Sequence, residues 1–244
     1  MTVQGLNFNS YVKRIAVPIF TLTALIVGQA GMISGARAVE ETASALIFSE
    51  PYLKTLGHPH TIAYSYSHDT NAPADYGKEF TEDVAVHVRK PTREGGFNSV
   101  AIALKSEKRS YELGPFENTS GNPVVMMFLE REMSQMRSRV GGTPVYFRNT
   151  IRRAFRDAAE IDDLQVDVGG KMVSAKRVTI RPFVDEKQAA RFGKFQGKVF
   201  ETIVTDSVPG GIYAMRSFIP DQDKAGTNLV TNLLQYQTTE EASK

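Results

Sequence analysis

Apolar and polar positions alternate through "TIAYSYSHD", which sets Ile62, Tyr64 and Tyr66 on one face with the period of a half-buried strand. "EFTEDVAVHVRK" repeats the pattern, with Phe80, Val84, Val86 and Val88 on one face and acids and His87 on the other. The polar stretch between them, holding Pro73 and Gly77, reads as a turn. "GGFNSVAIALKS" and "RSYELG" continue the meander across the charged turn "SEKR". Ahead of these strands, residues 39–57 read as a loose entry segment or short helix around "ASALIFSEPYLKTL".

The period then changes. In "GNPVVMMFLEREMSQMRSRVGGTPVYFRNTIRRAF", Asn122-Pro123 supplies an N-cap followed by a proline suited to a first helical turn. Leu129, Met133, Met136 and Val140 recur at helical spacing until Gly141-Gly142 stops the helix. Thr143-Pro144 repeats the start signal, and Phe147, Ile151, Ala154, Phe155 and Ala158 line a second helix. The short link predicts an αα-hairpin over about residues 123–159.

After Asp162 the strand pattern returns. "LQVDVGGKMVSAKRVTIRPFV" reads as a hairpin about Gly169-Gly170, and "KVFETIVTDSVPGGIYAMRSFIP" as another about Pro209-Gly210-Gly211. Between them "DEKQAARFGKF" is a helical turn; "NLVTNLLQYQ" is a last strand and "TTEEASK" a frayed tail. About eight strands interrupted once by helices predict an α+β or mainly-β single domain.

The first 38 residues are different in kind. Lys13 and Arg14 precede a run from Ile15 to Ile33 without charge, and Ala36-Arg37-Ala38 follows. A positive n-region, an apolar h-region and an A-x-A site predict a cleaved secretory signal peptide over residues 1–38, leaving a periplasmic domain over 39–244. The alternative is a retained anchor, since the run approaches the length of a membrane span. The signal also changes the charge picture. The chain holds 29 Lys+Arg against 27 Asp+Glu, and residues 1–38 carry Lys13, Arg14 and Arg37 with no acid. The remainder is therefore 26 against 27, a balance that predicts no nucleic-acid partner. With no cysteine, thiol catalysis and cysteine metal sites are excluded.

Two features of the hairpin carry candidate chemistry. Met126, Phe128, Leu129, Met133 and Met136 form an apolar face able to lid a cavity, or simply to fill a core. Seven arginines crowd residues 131–156, and Arg148, Arg152 and Arg156 fall at i, i+4 and i+8. That stripe could hold an anionic group, or be a solvated face paired with acids such as Glu130, Asp157 and Glu160. His58 and His60 sit in a loop around Pro59, with His68 further on; no third ligand is fixed by spacing, and no metal or other cofactor is expected. The carboxylate pairs Glu130/Glu132 and Asp162/Asp163 read as surface pairs. No nucleophile elbow, zinc-protease helix, phosphate loop or dinucleotide fingerprint occurs, so no catalytic residue is assigned.

The blocks "GNPVVMMFLEREM", "GGTPVYFRNTIRRAF" and "TDSVPGGIYAMRSF" resemble a family of exported proteins of Gram-negative bacteria, a likeness that brings no catalytic residues with it. The order of strands, helical insert and strands also resembles the LolA/LolB-like half-barrel of periplasmic lipoprotein carriers. That resemblance implies a single curved antiparallel sheet covered by the central helical hairpin, with acyl chains held between them. The expected function is a soluble, non-enzymatic periplasmic protein that binds a lipid or amphiphile and serves cell-envelope maintenance, after the export machinery has read its signal. The alternatives are an envelope scaffold that docks a protein or an anionic glycan without a cavity, and a hydrolase lacking familiar motifs. An apolar cavity of about 300 Å³ or more separates the first reading from the scaffold.

Overall fold

The computed structural model describes residues 42–49, 52–53, 60–89, 98–119, 121–184, 187 and 189–241. All of them fall within one unit, Glu40–Lys244. The expected signal peptide over residues 1–38, and His58, lie outside the described residues.

Nine strands form one antiparallel sheet: β1 (His60–Thr70), β2 (Phe80–Arg89), β3 (Asn98–Lys105), β4 (Ser110–Thr119), β5 (Glu160–Val168), β6 (Lys171–Ile180), β7 (Val199–Val204), β8 (Ile212–Pro220) and β9 (Asn228–Glu241). Their order is β4-β3-β2-β1-β9-β8-β7-β6-β5, so the sheet is open, with β4 and β5 at its edges. This is the α+β curved half-barrel, with one strand more than the pattern suggests. Part of the expected frayed tail is strand. Thr238–Glu240 continue β9 opposite Ala63–Thr61 of β1, which gives their backbone groups ladder partners in place of solvent.

The topology explains the helices in the middle of the chain. Residues 60–119 build outward from β1 to one edge, and residues 160–241 build inward from the other edge to meet β1 at β9. The chain must therefore cross the whole face of the sheet between β4 and β5. α2 (Val124–Val140) and α3 (Pro144–Asp157) make that crossing, α2 reaching β8 and α3 reaching β6. Among the described residues there are also four short helical segments, Ala45–Ser49, α1 (Pro73–Tyr76), α4 (Ala189–Phe192) and Gly193–Gly197.

The start of α3 is as expected, with Thr143 at the cap and its Oγ1 accepting from Tyr146 N at 3.2 Å. α2 begins one residue later than expected, with Pro123 in the cap position, and Asn122 Oδ1 accepts from the Val124 amide at 3.2 Å. Gly141 takes a φ of 67°, a left-handed value that a side chain resists. The main core lies between the helices and the sheet. Leu129, Met133 and Met136 of α2 and Phe147, Ile151 and Phe155 of α3 pack there with Ile62, Tyr64, Tyr66, Val84, Val86 and Val88. Ala158, expected on the same face, is exposed at the end of α3. A smaller cluster, including Val166, Ala175, Ile203, Tyr213 and Ala214, packs apart from it.

Candidate functional site

A cavity of about 1010 Å³ lies between the outer side of α2, strands β3 and β4, and the short helical segment Ala45–Ser49. One wall is Ile102 and Leu104 of β3 with Tyr111, Leu113 and Phe116 of β4; the other is Val125, Met126 and Met127 of α2; Ile47 and Phe48 close one end. Four large apolar side chains on this lining are exposed by more than a third: Phe48, Tyr111, Phe116 and Met126. Leaving such groups in water forgoes the burial that drives folding, which makes a shared concave position informative.

Phe116 reaches this wall through a local irregularity. Strict alternation from Tyr111 and Leu113 would turn Phe116 to the opposite face. Instead Ile102 pairs with Leu113 and Val100 with Phe116, so β4 carries one extra residue at Gly114-Pro115. Gly114 adopts a φ of 108°, and a Cβ there would meet Val100 O at 2.9 Å. Only glycine fits, and the bulge re-aims Phe116.

The cavity is polar at its other end. Arg131, Ser134, Gln135 and Ser138 follow one another along α2 at helical spacing. Arg131 Nη2 donates to Glu82 Oε2 at 2.6 Å and to Tyr111 Oη at 3.4 Å, and its guanidinium lies 4.3 Å above the Tyr66 ring. Burial works against the Arg131 charge, but the Glu82 hydrogen bond and nearby charges outweigh it and hold the guanidinium above its ordinary range. Glu130 at the same rim accepts from Arg148 Nη2 at 2.9 Å. Each charged residue on the lining is thus matched by an opposite charge.

Beneath α2 lies a second polar cluster, joined to the cavity lining where Asn232 Nδ2 donates to Gln135 Oε1 at 3.2 Å. Lys198 Nζ sits 2.7 Å from Glu132 Oε2. Asn232 Nδ2 donates to Glu132 Oε1 at 2.7 Å and lies 3.4 Å from Ser217 Oγ. Asn232 Oδ1 is 2.6 Å from His68 Nδ1. His68, Glu132, Lys198, Ser217 and Asn232 are all buried. Glu132 is therefore not part of a surface pair with Glu130: its helical position, four residues from both Phe128 and Met136, points it at the sheet. His68, likewise, continues the buried face of Ile62, Tyr64 and Tyr66.

The residues singled out in the sequence separate in space. Met126 lines the cavity, whereas Phe128, Leu129, Met133 and Met136 are buried in the core on the other side of α2. Arg148 binds Glu130, and Arg156 binds Asp157 through both Nε and Nη2, at 2.7 and 2.8 Å. The hydrogen bond from Arg156 holds the Asp157 carboxyl below its ordinary range. Arg152 is exposed between them. A smaller cavity of about 460 Å³ beside α3 is lined by Arg153 and Arg181, not by that stripe. Among the described residues, no group of three His, Asp or Glu side chains could hold a metal ion, and no helix is long and apolar enough to cross a membrane.

Fold and site together define an open antiparallel half-barrel with an amphipathic cleft beside its covering helix. No protein-family model matches the sequence, and a search of curated proteins finds no relative. Among solved structures, lipoprotein LppX of Mycobacterium tuberculosis aligns with a TM-score of 0.32 and 12% identity, over 75% of this chain and 88% of that one.

Proposed function

We propose that the protein is a non-enzymatic binder of a chain-bearing amphiphile, exported by its N-terminal signal and acting in the periplasm on envelope lipid. The observation that carries this reading is the convergence of Phe48, Tyr111, Phe116 and Met126 on one cavity of about 1010 Å³. That volume lies at the top of the usual range for small-molecule sites and well above what a solidly packed scaffold leaves open. The lining runs along α2 from Pro123 to Ser138, about 22 Å at the helical rise, which suits an extended chain better than a compact solute.

Native mass spectrometry of protein purified from its own envelope should find a lipid adduct. In vitro, a neutral naphthylamine dye should bind saturably and be displaced by acyl chains. The double variant Phe116→Asp/Met126→Asp, at two exposed positions, should abolish this while preserving the far-ultraviolet dichroism. Absence of saturable uptake by the wild type, or wild-type uptake by the double variant, would overturn the proposal.

A further inference from the structure

The charge of the molecule is unevenly placed. Residues 124–157 hold seven arginines and three acids, a net +4, whereas the rest of residues 39–244 holds 19 basic side chains against 24 acids, a net −5. The three acids of the hairpin are all engaged: Glu132 is buried against Lys198, Glu130 is held by Arg148 and Asp157 by Arg156. Arg137, Arg139, Arg152 and Arg153 are exposed, and none of them makes a salt bridge among the described residues. The charge left over is wholly positive.

The surplus lies on the outside of the helices. On α3, Val145, Asn149, Arg152 and Arg156 fall at i, i+4, i+7 and i+11 and are all exposed, opposite the stripe of Phe147, Ile151, Ala154 and Phe155 that packs into the core. On α2, Met126, Glu130 and Arg137 fall at i, i+4 and i+11 and are exposed as well. The bond from Arg148 to Glu130, 2.9 Å long, ties the two stripes into one surface. That surface runs up to the large cavity, because Met126 and Glu130 also belong to its lining. Two apolar side chains on it stand well out in water, Met126 at 44% exposure and Val145 at 59%.

Guanidinium groups hold phosphate oxygens through paired, charge-assisted hydrogen bonds. Arginines interleaved with exposed apolar side chains match the headgroup layer of a bilayer, where phosphates lie over the ends of acyl chains. A soluble polyanion would meet the arginines alone and leave Met126 and Val145 in water. We infer that the outer face of the α2–α3 hairpin docks on an anionic lipid bilayer, with Arg137 and Arg152 at the phosphates and Met126 and Val145 in the headgroup layer. Docking in this way sets the rim of the cavity against the membrane, so that a chain passes between bilayer and cleft without crossing water. Docking and ligand uptake are separate properties, and either can fail without the other.

Vesicle flotation tests the face directly. The protein should bind vesicles of equal phosphatidylcholine and phosphatidylglycerol about a hundredfold more tightly than vesicles of phosphatidylcholine alone, and the difference should shrink as salt rises. The double variant Arg137→Gln/Arg152→Gln should lose about thirtyfold of the affinity for the mixed vesicles, about fivefold for each arginine. Neither arginine is bound to an acid, so its melting curve and its uptake of the neutral dye should match the wild type. The protein has no tryptophan, so Val145→Trp supplies a single reporter on this face. Its emission should shift to the blue when the mixed vesicles are added. Met172→Trp, at a position 58% exposed on β6 beside the opposite edge of the sheet, should not respond. Equal binding to the two kinds of vesicle, a double variant that binds as the wild type does, or an equal blue shift at the two tryptophans would overturn the docking face. Tighter binding to soluble dextran sulfate than to the mixed vesicles would overturn it too, giving the arginines to a polyanion. Loss of dye uptake with vesicle binding intact would instead remove the ligand reading and leave the docking face standing.

Discussion

Glu132 of α2 and Lys198, the residue before β7, meet at 2.7 Å with side chains 0% and 1% exposed. Their carboxylate and ammonium fasten the middle of the covering helix to the sheet, and Asn232 ties the same carboxylate to β9. Removing one partner leaves a buried charge without its counterpart. Lys198→Met should therefore destabilise by about 3–5 kcal/mol. The double variant Lys198→Met/Glu132→Met should recover most of the loss, because it removes both desolvated charges at once. Urea unfolding of the three proteins would check this; a double variant as unstable as the single one would show that the pair is not a self-contained unit.

Stability should also depend on alkaline pH through Tyr64 and Tyr66. Burial pushes both phenols far above their ordinary value near 10; Asn122 partly opposes this at Tyr64, and Glu132 adds to it at Tyr66. A raised folded-state value means the folded protein keeps protons that the unfolded chain releases. The stabilisation is full below about pH 10 and is lost as pH rises beyond it, by about 1.4 kcal/mol per pH unit for each tyrosine. Tyr66→Phe should flatten this limb, at the cost of the hydroxyl's interaction with Arg131. Urea midpoints between neutral pH and pH ~11 would reveal the difference in slope.

Asn122 should be among the most sensitive polar positions. It caps α2 through Val124 N and also donates to Tyr64 Oη at 2.9 Å and to Gly210 O at 3.1 Å. Asn122→Ala should cost about 2–4 kcal/mol, the sum of a lost cap and buried groups left unpaired. Asn122→Asp keeps the cap acceptor but not the donor, so it should remain destabilised. A cap-only role predicts full recovery by aspartate in the same unfolding experiment.

These sites also show where the sequence was informative. Helix starts, glycine stops and strand faces depend on neighbours within a few residues, which is why Asn122, Gly141 and the Ile62–Tyr66 face were legible. The joining of β1 to β9 depends on residues far apart in the chain, and no local pattern announces it. The buried polar cluster left a trace that can be read afterwards. Glu132 interrupts the Phe128–Met136 stripe, His68 extends the Tyr64–Tyr66 alternation, Ser217 falls between Met215 and Ile219, and Asn232 falls between Val230 and Leu234. Each is a polar residue at a core position. The cavity wall was hidden for a different reason, because the bulge at Gly114 inverts the parity that would otherwise assign Phe116.

Replacing Arg148, Arg152 and Arg156 together by glutamine should leave the melting curve unaltered. Two of the three are bound to acids at the surface, where such pairs contribute little, and glutamine preserves helix propensity. Uptake of the neutral dye should persist as well. Unfolding of the triple variant would assign the stripe a structural role, and loss of uptake with an intact fold would place part of the ligand at these arginines.

The pairing of β1 with β9 has a kinetic consequence. These strands lie side by side from His60 opposite Glu241 to Thr70 opposite Val230, so the central seam joins segments at opposite extremes of the described chain. During synthesis the first four strands can pair among themselves, yet β1 must wait with one edge bare until the last strand emerges. Such distant pairing makes for slow folding, and a waiting edge invites association with other chains. The pace of folding would then rest on how quickly residues 228–241 find their place beside β1.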